Sequence, residues 1–79
     1  MNIFDLKAGE SGIISDIALP ANALARLSSL GVARGKKVTV LAFSLFKSAV
    51  LISCGAVRVG MRADTAKSIS IESEAENAG

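Results

Sequence analysis

Residues 24–35 read Leu24-Ala25-Arg26-Leu27-Ser28-Ser29-Leu30-Gly31-Val32-Ala33-Arg34-Gly35, and this stretch decides the fold. Leu24 and Leu27 lie three apart and share one helix face, with Leu30 as a further candidate. Gly31 can take the left-handed conformation that closes a helix C-terminus. Gly35 then turns the chain toward a strand beginning near Lys36. The flanking segments are rich in β-branched residues, so a short helix is set into a strand-rich chain. A small β-barrel with one inserted helix is a binding architecture.

On the N-terminal side, Met1 to Leu6 reads as a short arm with Ile3, Phe4 and Leu6 packing on the body. Lys7 to Gly12 is a turn. Ile13, Ile14 and Ile17 make a first strand. Leu19-Pro20 ends it, because proline suits a helix start and not a central strand.

On the C-terminal side, Lys37 to Phe43 is a strand and Ser48 to Cys54 another. Gly55 turns the chain into Ala56 to Arg62. There Val57, Val59 and Met61 alternate with Arg58 and Arg62, the period-two pattern of a half-buried strand. Asp64 is expected to cap a helical turn through Ala66. Ser68 to Ile71 closes the fold. Five short strands and one helix point to a mainly β, SH3-like small barrel, with a short helical turn near the C-terminus. An open sheet with a helix on one face is the alternative. Residues 1–71 form the domain, and residues 72–79 are expected to be an acidic, disordered tail.

The chain has 79 residues, room for one domain. A domain of this size buries only about 60% of its unfolded surface, so its core must be efficient. The composition is 51% apolar with no Trp or Tyr, which points to a core of Val, Ile, Leu and Ala. The single cysteine, Cys54, has no internal disulfide partner and fits a reducing cytosol. Neither a signal peptide nor an apolar run near the ~20 residues of a membrane span is evident.

Charge is unevenly placed. All nine basic residues precede Glu72, against the four acids Asp5, Glu10, Asp16 and Asp64. Such a body favours an acidic or phosphate-bearing partner, with a solvated mixed surface as the plain alternative. The absence of histidine removes the usual general base and zinc ligand. The scattered acids form no paired-carboxylate site, and Gly31 and Gly35 fit no phosphate-cradling motif. We therefore assign no catalytic, cofactor or metal residue. Cys54 reads as packing.

Two surface candidates remain. Leu45 and Phe46 sit in a hairpin loop that should be polar. They either dock another chain or fold back to plug the barrel end. The basic set Arg34, Lys36, Lys37, Arg58 and Arg62 is the second. RNA is not the expected partner, because the strands offer almost no aromatic platform for single-stranded bases.

Three stretches then resemble the FeoA family. Arg26-Leu27-Ser28-Ser29-Leu30-Gly31-Val32-Ala33-Arg34-Gly35-Lys36-Lys37-Val38 resembles its central R-L-x-x-L-G-[IV]-x-x-G-x-x-[VI] pattern. Leu6 to Ile14 is similar to its opening, and Val59 to Ile71 to its close. Where many members carry a Gly-Asp-Pro-like turn, this chain has Phe46-Lys47-Ser48-Ala49. The resemblance implies an SH3-like, non-enzymatic accessory of bacterial ferrous iron transport. It would be cytoplasmic, recruited to the inner membrane face by the transporter FeoB and adjusting its assembly or GTPase cycle, without inserting in the bilayer itself. The alternatives are a regulatory domain binding Fe(II) or Mn(II) weakly, and a small RNA-binding barrel. Self-association through strand edges or the apolar loop is also open.

Overall fold

The computed structural model describes residues 1–73. Five antiparallel strands form one sheet: β1 (Ser11–Ile17), β2 (Lys37–Phe43), β3 (Ala49–Cys54), β4 (Val57–Arg62) and β5 (Ile69–Ser73). Their order is β4-β3-β2-β1-β5. Helix α1 (Ala21–Ser29) lies between β1 and β2, and the five-residue α2 (Ala63–Lys67) links β4 to β5. A 3-10 turn spans Ile3–Asp5.

Alternation builds the core. Val38 and Val40 on β2, Val50 and Ile52 on β3, and Val59 and Met61 on β4 are buried on the inner face. Ile14, Ile69 and Ile71 complete it from β1 and β5. Each such side chain contributes roughly 1.5–3 kcal/mol on leaving water. The register shifts between Ile14 and Asp16 against β5, and between Val40 and Ala42 against β3. Each shift is a bulge that bends its strand and lets a five-stranded sheet curl around one core.

The N-terminal arm packs as expected. Ile3 is fully buried and Leu6 nearly so. Asn2 and Asp5 cap the turn reciprocally: Phe4 N–H donates to Asn2 Oδ1 at 2.8 Å and Asn2 N–H to Asp5 Oδ2 at 2.8 Å. The arm also covers the outer edge of β5, because Asn2 bridges Ser70 and Ile71 N–H donates to the Met1 carbonyl at 2.8 Å.

Several sequence expectations shift. Of the three leucines proposed for one helix face, only Leu27 is buried; Leu24 is 37% and Leu30 41% exposed. The nine-residue helix α1 sends one side chain, Leu27, into the core. Its second anchor is Val32, fully buried beyond the Gly31 turn, with its N–H on the Leu27 carbonyl at 2.9 Å. Gly31, at φ 93, makes the left-handed stop that the sequence implied. Asp64 does not cap α2. Arg62 holds the cap position without a side-chain bond, and Asp64 stands in the first turn. There its charge still complements the helix N-terminus. β5 continues through Glu72 and Ser73, paired to Ile13 and Gly12, so these two residues extend the sheet past the tail boundary read at residue 72. The tail reading for residues 74–79 lies outside the described residues.

Candidate functional site: the Ser44–Ser48 loop

Between β2 and β3 the chain reads Ser44-Leu45-Phe46-Lys47-Ser48. The two serines lock its base. Ser44 N–H donates to the Ala49 carbonyl at 2.9 Å, and Lys47 N–H to the Ser44 carbonyl at 2.8 Å. Ala49 N–H donates to Ser44 Oγ at 2.8 Å, and the Ser44 and Ser48 hydroxyls meet at 3.0 Å. Ser48 thus closes the loop, which is why β3 begins at Ala49. The Ser48 carbonyl also accepts from Ala63 N–H at 3.0 Å, tying the loop to the start of α2.

Above this base the apolar pair faces solvent. Leu45 is 80% and Phe46 92% exposed. Neither folds back to plug the barrel. Phe46 and Lys47 have φ of 64° and 54°, the only non-glycine residues with positive φ among those described. A bulky aromatic in this left-handed region is a genuine outlier. Such strain, of order 1–3 kcal/mol, persists where the surroundings over-determine it, and it concentrates at functional sites.

Beneath the loop an aromatic stack joins three elements. Phe43, at the end of β2, meets Phe4 edge-on at 5.2 Å. Lys47 Nζ lies 5.1 Å from the Phe43 ring centroid, and Lys67 Nζ 5.6 Å from that of Phe4. Beside it, an open apolar groove of about 290 Å³ is lined by Ala42, Phe43, Val50, Leu51 and Gly60 among others. The loop is therefore an exposed apolar knob on a hydrogen-bonded base, with one cation, Lys47, drawn back over Phe43.

The basic set does not form one patch. Arg62 lies opposite Ala49, at the loop end of the sheet, whereas Arg58 pairs with Ser53 at the other end of β4. Lys36 and Lys37 line a separate hollow with Cys54, Gly55 and Val57. Arg34 borders another with Leu24 and Val32 on the helix side. Cys54 is buried, and its thiol donates to the Gly31 carbonyl at 3.3 Å. Burial pushes its pKa up, with Lys36 pulling partly against this. Among the described residues, no three of His, Cys, Asp and Glu converge on a point that could hold a metal ion.

Sequence reasoning singled out Leu45 and Phe46 but missed Phe43 and Lys47 as their support. The flanking serines were the available signal, since Ser hydroxyls close tight turns.

The FeoA domain model matches residues 1–73. The chain belongs to the FeoA family. FeoA of Chlorobium tepidum, 28% identical, superposes with a TM-score of 0.89 over 94% of this chain and 70% of that one. FeoA of Stenotrophomonas maltophilia, solved with zinc and described as an SH3 domain protein, is 29% identical with a TM-score of 0.74, covering 91% and 89%. A manganese-dependent transcriptional repressor, 19% identical, shares the fold alone, at a TM-score of 0.82 over 92% of this chain and 41% of that one. No curated protein matches in the sequence search. The fold is thus the SH3-like FeoA barrel, and the chain is associated with ferrous iron transport. No helix among the described residues is long and apolar enough to cross a membrane.

Proposed function

We propose that this FeoA-family chain is a non-enzymatic adaptor of ferrous iron transport. It docks on the cytosolic side of the transporter FeoB and adjusts its assembly or its GTPase cycle. The observation that carries this reading is the Leu45–Phe46 knob, held out to solvent on a left-handed backbone. Nothing in the domain's own packing gains from that arrangement. A partner pocket would, because burying each side chain is worth roughly 1.5–3 kcal/mol. Pre-organisation adds to this by lowering the entropy lost on docking. Aromatic anchors of this kind dominate binding energy at protein interfaces. Arg62, at the base of the same loop end, supplies a cation for an acidic rim.

The test is binding of the purified chain to detergent-solubilised FeoB, with and without guanine nucleotide and Fe(II). Saturable binding that responds to nucleotide and is lost in the double variant Leu45→Asp with Phe46→Asp supports the adaptor reading. Undiminished binding by the correctly folded double variant would show that the loop is not the contact. No binding by the parent chain in any state would remove the adaptor role.

A further inference from the structure

The two outer edges of the sheet are treated differently. That of β5 is covered by Met1 and Asn2. That of β4 has no strand beside it among the described residues. Cys54 and Val57 close a two-residue hairpin, so Val57, Val59 and Met61 direct their backbone groups at β3. The N–H groups of Arg58, Gly60 and Arg62 and the carbonyls of Arg58 and Gly60 consequently face outward, while the Arg62 carbonyl belongs to the first turn of α2. None of them takes part in the backbone hydrogen bonds made outside helices and strands among the described residues.

An unpaired edge of this kind is a template for another strand. Three observations say what strand would fit. First, Gly60 sits mid-edge and has no side chain, so nothing of its own shields its backbone N–H and carbonyl from an approaching chain. Second, a hollow of about 260 Å³ runs between this edge and α1, with Leu19, Ala23 and Leu27 as its apolar lining and Arg26 and Arg62 among its polar wall. Third, Arg26, Arg58 and Arg62 are exposed and make no ion pair among the described residues, while α1, β3 and β4 contain no acid. Asp64 lies beyond the strand, on α2.

From these we infer that the β4 edge is a second docking site, distinct from the Leu45–Phe46 loop, that binds an extended acidic segment of a partner protein by strand addition. The segment carries acids four residues apart, opposite Arg58 and Arg62, which are about 13 Å apart along a strand. Apolar residues alternate with them and enter the hollow beside α1. Backbone pairing supplies affinity and the alternating side chains supply specificity. A second copy of this chain is the poorer occupant. Antiparallel pairing of two β4 edges centred on Gly60 sets Arg58 against Arg62 twice, and like charges directly opposite destabilise a strand pair. The inference does not rest on the adaptor reading and survives if the loop proves silent.

The test uses the full chain and a synthetic peptide with the core Glu-Val-Thr-Val-Glu, followed by amide NMR and hydrogen exchange. The expected result is that the amides of Arg58, Gly60 and Arg62 shift and become protected, and that binding weakens with salt. The core Lys-Val-Thr-Val-Lys should bind weakly or not at all. In the variant Arg58→Glu with Arg62→Glu, the preference should invert, each peptide changing affinity about tenfold or more. Shifts confined to other surfaces would overturn the proposal. So would equal binding of both peptides by the parent chain, or concentration-dependent protection of the β4 amides without peptide, the mark of self-pairing.

Discussion

The Phe4 ring stands edge-on to Phe43, with centroids 5.2 Å apart and ring planes at 75°. This one contact joins the N-terminal turn to the end of β2, from which the exposed loop departs. Edge-to-face pairs add about 0.5–1.5 kcal/mol beyond the area they bury.

Phe4→Ala should therefore cost about 1–3 kcal/mol, less than a fully buried Phe because the ring is only partly buried. Chemical denaturation measures it. The same variant frees Lys67 from its ring and removes the support behind Phe43. Faster amide exchange is expected at both Asp5 and Phe43, two sites distant in sequence.

Phe46→Asn should leave stability unchanged or raise it, by up to about 1 kcal/mol, because Asn accepts the left-handed region at lower cost than an aromatic ring. The lost side chain makes little packing, being 92% exposed. A fall of more than 1 kcal/mol in a denaturant titration would mean that Phe46 supports the fold. This separates a structural role from the docking role proposed for the loop.

Two glycines should respond oppositely to alanine. At Gly12 a Cβ would lie 3.0 Å from both the Glu72 carbonyl oxygen and Ile71 Cδ1. Gly12→Ala should then cost about 1–3 kcal/mol through crowding between β1 and β5. At Gly60 the Cβ meets open space and no left-handed backbone stands in the way. Gly60→Ala should be neutral or stabilising by about 0.5 kcal/mol, through lower entropy of the unfolded chain. Paired thermal melts read the difference, at roughly 4–8 °C per kcal/mol for a domain of this size.

Cys54 sets a pH dependence. Burial raises its thiol pKa in the folded state above the ordinary 9.0, with Lys36 opposing. The unfolded chain therefore loses this proton at lower pH than the folded chain does. The stability contributed by the neutral, buried thiol is full below about pH 9 and is lost as pH rises through the folded pKa. Melts from pH 7 to 10.5 should show a decline that Cys54→Ala, itself less stable for its lost packing, no longer shows. Alkylation by iodoacetamide at pH 8 should be slow in the folded chain.

The strands were legible because their signal is local. In Lys37–Phe43, Val38 and Val40 alternate with Lys37 and Thr39, and the observed β2 has those same bounds. In Val57–Arg62 the alternation of Val59 and Met61 with the two arginines named both faces of β4. Gly31 announced the end of α1 because a left-handed stop is a property of one residue. Leu24 and Leu30 were misread for the complementary reason. Spacing says which side chains share a helix face, and it is silent on how much surface lies opposite.

The chain by itself thus determined its five-strand pattern, its inserted helix and its family pattern from Leu6 to Ile71, all consequences of side-chain period and single-residue backbone preference. The tertiary structure alone decided where Leu45 and Phe46 point, how the basic residues divide among separate surfaces, and which sheet edge stays open. Each of these depends on contacts between residues far apart in sequence: Phe4 on Phe43, Met1 on Ile71, Ser48 on Ala63. No local pattern encodes such a meeting, because it follows from the curl of the whole sheet around one core.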